Sequence, residues 1–151
     1  MQSLNTLLER EEAERDAALA ALHAARQQAE GARAQSAQLL AYRADYEGRW
    51  SKQFARQGAI EIVQCYHGFT QRLEQAIVQQ QRVAEHALAQ LERARAALQA
   101  CELRVASVRK LIERRVLAQQ RVAARREQKQ TDEAAQRAAG ATGAFAAMMR
   151  Y

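Results

Sequence analysis

A heptad repeat in the second half of the chain, from Leu73 to Ile112, constrains the fold more than any other feature. Eleven of its twelve a and d positions are apolar. Such a repeat places these side chains on one narrow stripe of a helix. Because the stripe must be shielded from water, the helix needs a partner helix. The twelve positions are Leu73, Ile77, Gln80, Ala84, Ala87, Leu91, Ala94, Leu98, Cys101, Val105, Val108 and Ile112.

The same spacing starts at Leu4 and predicts the partner helix over residues 2–50. Ten of its fourteen stripe positions are apolar. Glycines then interrupt the pattern, so we place a turn at residues 51–59 with its midpoint near Arg56. The fourteen positions are Leu4, Leu8, Glu11, Arg15, Ala18, Leu22, Ala25, Ala29, Ala32, Ser36, Leu39, Arg43, Tyr46 and Trp50.

Folding the chain at Arg56 tests this arrangement. In an antiparallel pair folded there, Leu22 faces Leu91 and Leu4 faces Val108, so large apolar residues meet each other. The apolar stripe of the second helix also ends where the first helix would run out of residues to pair with it. The sequence therefore predicts an all-α fold, a long two-helix antiparallel coiled-coil hairpin.

The hairpin is predicted to form a single elongated domain, residues 1–151. Helix two covers about residues 60–139 and ends in a basic overhang without an intramolecular partner, and residues 140–151 are expected to fray. The chain contains no proline, which would interrupt a long helix. Its net charge is +6, and residues 104–151 alone carry eleven basic and four acidic groups.

Targeting and membrane signals are not found in the sequence. Residues from Glu9 to Asp16 are charged where a secretory signal would be apolar. No run approaches the roughly 20 apolar residues that span a bilayer. We expect a cytosolic protein without a transmembrane segment, in which Cys65 and Cys101 are too few to form a disulfide framework.

The sequence contains few residues that could form a catalytic or ligand-binding site. The three histidines, His23, His67 and His86, are far apart and none has a second ligand at metal-binding spacing. No glycine-rich phosphate loop occurs, and a two-helix hairpin has no pocket that excludes water. We predict that the protein is not an enzyme and has no catalytic residues, cofactor or metal.

The basic overhang has several possible interpretations. A solvated helix face is the simplest, and nucleic acid or an anionic membrane could also be attracted to it. It lacks aromatic residues that would stack on bases and large apolar residues that would insert into a bilayer. An acidic protein surface is the better partner. Its cations include Arg114, Arg115, Arg121, Arg125, Arg126 and Lys129.

An aromatic segment from Trp50 to Phe69 surrounds the predicted turn. It is interpreted either as a small satellite core that stabilises the bend or as a protein-binding surface at one end of the hairpin. One flank of helix two carries four residues of interest, Phe69, Leu73, Ala76 and Gln80.

Three motifs together carry a family resemblance. Near the end of helix one the chain has Tyr42-x-x-x-Tyr46, and helix two opens with Phe69-x-x-x-Leu73-x-x-Ala76-Ile77. Near the C-terminus it has Lys129-x-x-Asp132-Glu133-x-Ala135-Gln136-Arg137-Ala138. In this order and spacing, in a proline-free chain of this length, they resemble the FliJ family, small cytosolic components of the flagellar type III export apparatus.

The resemblance implies a fold and a set of partners. The fold is an antiparallel two-helix coiled coil similar to the central stalk of rotary ATP synthases. The implied partners are the hexameric export ATPase FliI, the export-gate membrane protein FlhA and the export chaperones, with no nucleic acid among them. The implied location is the cytoplasm, peripherally associated with the inner-membrane export apparatus.

The resemblance also implies binding residues. Export-gate binding falls on Phe69, Leu73 and Ala76, and Gln80 stands where the family pattern has a histidine. ATPase binding falls on the C-terminal motif and the start of helix one. These candidates are Leu4, Leu7, Leu8, Arg121, Arg125, Arg126, Lys129, Asp132, Glu133, Gln136 and Arg137.

Three alternatives stay open from the sequence. The central stalk of a virulence-type secretion system shares the architecture and would be distinguished by its gene neighbourhood. A basic coiled coil associated with nucleic acid would lose affinity steeply with salt. A scaffolding coiled coil would self-associate.

Overall fold

The computed structural model of the protein describes residues 1–56 and 60–150, apart from the side chain of Ala55. Nearly all of these residues belong to two helices, α1 (Gln2–Arg56) and α2 (Ile60–Met149). The described residues contain no strand, and the two helices pack against each other. The predicted all-α, two-helix fold is therefore confirmed.

Helix α1 continues past residue 50, where it was predicted to end. Residues 51–56, assigned in advance to the turn, are helical, and the rest of that predicted turn, residues 57–59, lies outside the described residues. Gly48 does not stop the helix, because one glycine inside a helix costs only about 1 kcal/mol relative to alanine. The aromatic side chains that follow it offset this cost by packing against α2.

Helix α2 also extends further than predicted and includes residues 140–149, which we expected to fray. Gly140 and Gly143 adopt helical backbone without positive φ. The hydroxyl of Thr142 donates a hydrogen bond to the carbonyl of Ala138 at 2.8 Å, one turn earlier. Glycine is permitted in a helix although it weakens it, so these two residues alone do not end α2.

The chain divides into two compact units, which are described separately. One unit is Arg10–Arg104, and the other combines Met1–Glu9 with the chain from Val105 onward. The prediction of a single domain stays a prediction.

In the unit Arg10–Arg104, the two helices run antiparallel with their predicted stripes facing each other. Ala32 lies beside Gln80, and Tyr46 lies beside Tyr66; the members of each pair are equidistant from Arg56. Every predicted stripe position in this unit is buried or half-buried. The buried side chains among them are Leu22, Ala32, Leu73, Ile77, Ala87, Leu91 and Cys101.

In the other unit, Leu4 is buried together with Val105 and Val108. The stripe of α2 continues through the half-buried Ile112 and Val116, and all described residues from 117 to 150 are exposed. The predicted helical overhang is present. The end of the stripe follows a helix of 3.6 residues per turn rather than a strict heptad, so that Val116 is half-buried and Arg115 is exposed.

Candidate functional site

Aromatic rings from both helices form a cluster in the unit Arg10–Arg104. Tyr46 is at its centre: its ring centroid lies 4.3 Å from that of Phe69, 5.7 Å from that of Trp50 and 6.0 Å from that of Tyr66. Trp50 and Phe54 also contact Tyr66. These distances are typical of stabilising aromatic pairs. The cluster therefore joins α1 to α2, and the rings are half-buried rather than presented as an open surface.

The four export-gate candidates lie on one side of α2 but differ in accessibility. Leu73 is buried, with 7% of its surface exposed, and Phe69 is half-buried in the aromatic cluster. Gln80 is half-buried as well. Ala76 is the only exposed member of this set. A partner that approaches the folded hairpin would contact Ala76 and the exposed parts of Phe69 and Gln80. Leu73 instead packs between the two helices.

Gln80 bonds across the helix pair. Its side-chain nitrogen Nε2 donates to the backbone carbonyl of Ala32 at 3.2 Å and to Oε1 of Gln35 at 3.1 Å. A shallow groove beside this bridge is lined by Gln35, Gln38, Leu39, Tyr42 and Gln80. The amide nitrogen of Gln80 therefore bonds to α1, next to a groove that opens to the surface.

Ion pairs also connect the helices of this unit. Arg43 donates to a carboxylate oxygen of Glu74 at 2.8 Å, and Arg104 donates to Glu11 at 3.1 Å. A second nitrogen of Arg104 lies 3.7 Å from a carboxylate oxygen of Glu14. The hydrogen bond to Glu11 raises the pKa of the Arg104 guanidinium. Because arginine is already protonated at every ordinary pH, this shift keeps the pair charged without creating a pH dependence.

Sequence reasoning missed these polar contacts, although a signal was present. Glu11, Arg43 and Gln80 interrupt otherwise apolar stripes, and a polar residue in a seam needs a partner. Each such interruption predicts a polar contact across the seam, although the spacing alone does not identify its partner.

The ATPase candidates all belong to the unit that combines Met1–Glu9 with the chain from Val105 onward. Leu4 is buried and Leu8 half-buried, so Leu7 is the exposed member of these three candidates. The candidates in α2 are all exposed, and at 3.6 residues per turn they share one half of the helix circumference. They are Arg121, Arg125, Arg126, Lys129, Asp132, Glu133, Gln136 and Arg137.

The histidines are all exposed side chains on the outside of the helices. His86 lies 3.4 Å from the side chain of Gln90, one turn along α2. Within the described residues, no helix is long and apolar enough to cross a membrane.

The fold and the accessible residues define a coiled-coil protein of two long helices, with an exposed basic segment in α2. The family model described as "Flagellar FliJ protein" matches residues 1–143, and the chain belongs to that family. Neither the comparison with curated proteins nor that with solved structures finds a match. Membership implies a non-catalytic stalk or adapter role related to flagellar export.

Proposed function

We propose that the protein is a non-catalytic stalk and adapter that links the hexameric export ATPase FliI to the export gate FlhA. The exposed basic half of α2 binds the ATPase, and the side of α2 around Ala76 binds the gate. In this role the protein also assists the cycling of export chaperones. It acts in the cytoplasm, peripherally associated with the inner-membrane export apparatus.

One observation supports this proposal more than any other. The two sets of candidates fall in different compact units of the chain, the gate set in Arg10–Arg104 and the ATPase set in the other. Residues 117–149 are helical and every one of them is exposed, so Arg121, Arg125 and Arg126 are accessible. Exposed cations of this kind favour association with an acidic protein surface.

Charge reversal tests the ATPase contact. The triple variant Arg121→Glu, Arg125→Glu and Arg126→Glu should lower stimulation of ATP hydrolysis by purified FliI at least tenfold, with unchanged helicity by circular dichroism. The matched control is Arg33→Glu, Arg82→Glu and Arg93→Glu, which makes the same change in net charge at exposed positions of the other unit. Equal loss in both variants, or no loss in either at low salt, would contradict a specific contact.

The gate contact needs a probe that does not disturb the fold. Phe69→Ala should weaken gate binding, but Phe69 lies 4.3 Å from Tyr46, so this variant also removes a stabilising contact. Ala76→Arg places a bulky charge on an exposed position. It should weaken binding to the cytoplasmic part of FlhA, whereas Gln75→Arg, exposed on another side of the helix, should not. Equal binding by the two variants would remove Ala76 from the contact.

Co-purification from motile cells tests the whole proposal, since FliI and FlhA should both be recovered with the chain. Recovery of duplex DNA with a steep loss at higher salt would instead support the nucleic-acid alternative.

A further inference from the structure

We infer that the C-terminal part of α2 is a self-association surface, on which residues 131–148 of one copy pair antiparallel with the same residues of a second copy. This inference does not depend on the ATPase or gate contacts. It rests on the shape, charge and hydrogen bonding of one helix face on which all residues are exposed.

The face follows the helical period with steps of three and four residues. It carries small residues followed by large apolar ones, and no residue from 138 to 149 is charged. Phe145, Met148 and Met149 are 64%, 80% and 74% exposed, so large apolar side chains stand in water. The positions on this face are Thr131, Ala134, Ala138, Ala141, Phe145 and Met148, with Ala135, Thr142 and Met149 beside them.

The order of side-chain sizes favours a second copy in the antiparallel orientation. When Ala138 of one copy lies opposite Ala141 of the other, Phe145 lies over Ala134 and Met148 over Thr131. Each large residue then meets a small one, and the contact occurs twice by symmetry. A parallel pair would instead place Phe145 against Phe145 and leave the alanines facing a gap.

The polar groups on this face are already satisfied inside the helix. The hydroxyl of Thr131 donates to the carbonyl of Glu127 at 2.9 Å, and that of Thr142 donates to the carbonyl of Ala138 at 2.8 Å. Burying these threonines under a second helix therefore leaves no hydroxyl donor unpaired. A second helix can therefore cover this face without the free-energy cost of burying unpaired hydroxyl donors.

Two further features separate this face from the proposed ATPase contact. Arg121, Arg125, Lys129, Asp132 and Gln136 lie on the opposite half of the helix, and Arg137 is the ATPase candidate that borders the face. The family match ends at residue 143, so the large residues of the face lie beyond the matched part of the chain. Both features make self-association a property of this chain's own C-terminal segment.

The expected dimer is weak. A pair of helices in contact over 18 residues is about 27 Å long and buries less than the roughly 1,200 Å² of a standard interface. We therefore expect a dissociation constant in the micromolar range, with monomers at low concentration.

Sedimentation velocity over a range of concentrations tests the pairing on the full-length chain. The variant Ala138→Lys places a charge in the centre of the face and should weaken dimerisation at least tenfold. Ala139→Lys is the matched control, because Ala139 is also exposed but lies outside the face. It should dimerise like the parent protein, and both variants should keep the parent helicity.

Cysteine cross-linking tests the orientation in a Cys65→Ser, Cys101→Ala background. A mixture of Thr131→Cys and Met148→Cys chains should form disulfide-linked heterodimers, because these positions face each other in the antiparallel pair. Thr131→Cys alone should not cross-link, since its two copies are then far beyond the separation that a disulfide spans. Cross-linking of Thr131→Cys alone would show a parallel pair and overturn the orientation.

Monomers at all concentrations, or equal weakening by the two lysine variants, would overturn the inference. Because these measurements use this chain alone, they can fail while FliI is still stimulated. The proposed function can likewise fail while the dimer forms.

Discussion

The side-chain amide of Gln80 on α2 donates a hydrogen bond to the backbone carbonyl of Ala32 on α1, with 3.2 Å between nitrogen and oxygen. Around this bridge the seam consists largely of small residues, including Ala29, Ala84 and Ala87. Alanines of equal size specify the alignment of two helices weakly, whereas a polar residue in a seam specifies register at some cost in stability. We conclude that Gln80 contributes to register more than to stability.

Replacing this amide should therefore stabilise the protein. Gln80→Leu should raise the free energy of unfolding by about 1 kcal/mol, because leucine buries more apolar area in the half-buried site. No acceptor is stranded, since the Ala32 carbonyl lies inside α1 and the Gln35 amide is exposed. Urea unfolding followed by circular dichroism measures the change.

The control for that variant is Gln79→Leu, at an exposed position one residue earlier. It should change stability by less than about 0.5 kcal/mol. A destabilised Gln80→Leu protein would mean that the bridge contributes more than the apolar contact that replaces it.

Removing the central ring of the aromatic cluster should be far more damaging. Tyr46 contacts four other rings, and Tyr46→Ala should lower the free energy of unfolding by about 2–3 kcal/mol. Tyr42 is 49% exposed and contacts only two rings among the described residues. Tyr42→Ala should cost less than about 1 kcal/mol. Urea unfolding measures both losses. If Tyr46→Ala lowers the free energy of unfolding no more than Tyr42→Ala does, the cluster tolerates the loss of its central ring.

The seam of this fold could be predicted from the sequence because its signal is periodic. Stripe positions such as Ile77 and Leu91 carry apolar residues at a helical spacing. Because such residues are stabilised by removal from water, they are also the residues that the partner helix buries. The overhang was predictable for the same reason, since the stripe runs out where α1 has no more residues. Antiparallel pairing then followed from the single interruption of the pattern.

The ends of the helices and the accessibility of the candidates were not predictable in the same way. The sequence predicts a turn after residue 50 and fraying from residue 140, close to Gly48, Gly140 and Gly143. Both helices continue, because a glycine weakens a helix by an amount that neighbouring residues can offset. Leu73 belongs both to the seam and to the family's gate-binding motif. Only the structure shows that its side chain is buried while Ala76 is exposed.

Ion pairing between the helices should depend on salt. Arg43 and Glu74 are partly exposed, with a nitrogen–oxygen distance of 2.8 Å. A double-mutant cycle with Arg43→Met and Glu74→Gln should give a coupling of about 0.5 kcal/mol at low salt. The coupling should fall towards zero in about 1 M sodium chloride, where the screening length is roughly 3 Å.

A second cycle on Arg49 and Asp45 provides the comparison for this ion pair. These residues form an exposed pair one turn apart within α1, at 3.1 Å. Its coupling should be smaller than that of Arg43 and Glu74, because no helix-helix contact holds the two side chains in place. A salt-independent coupling of the cross-helix pair would contradict an electrostatic origin.

Glycine replacements should separate local from global stability. At Gly31, Gly140 and Gly143 an added Cβ would meet no atom within 4 Å, and none of these glycines has a positive φ. Alanine should therefore favour the helix by up to about 1 kcal/mol at each site.

Gly31 lies in α1 within the paired unit, so Gly31→Ala should raise the unfolding midpoint of the whole hairpin. Gly140→Ala with Gly143→Ala should leave that midpoint unchanged at low protein concentration, because the described residues from 117 to 150 are all exposed. Amide hydrogen exchange should instead slow within residues 138–149 alone. A raised global midpoint in the double variant would show that this segment unfolds together with the paired helices, and that its exposure does not make it independent.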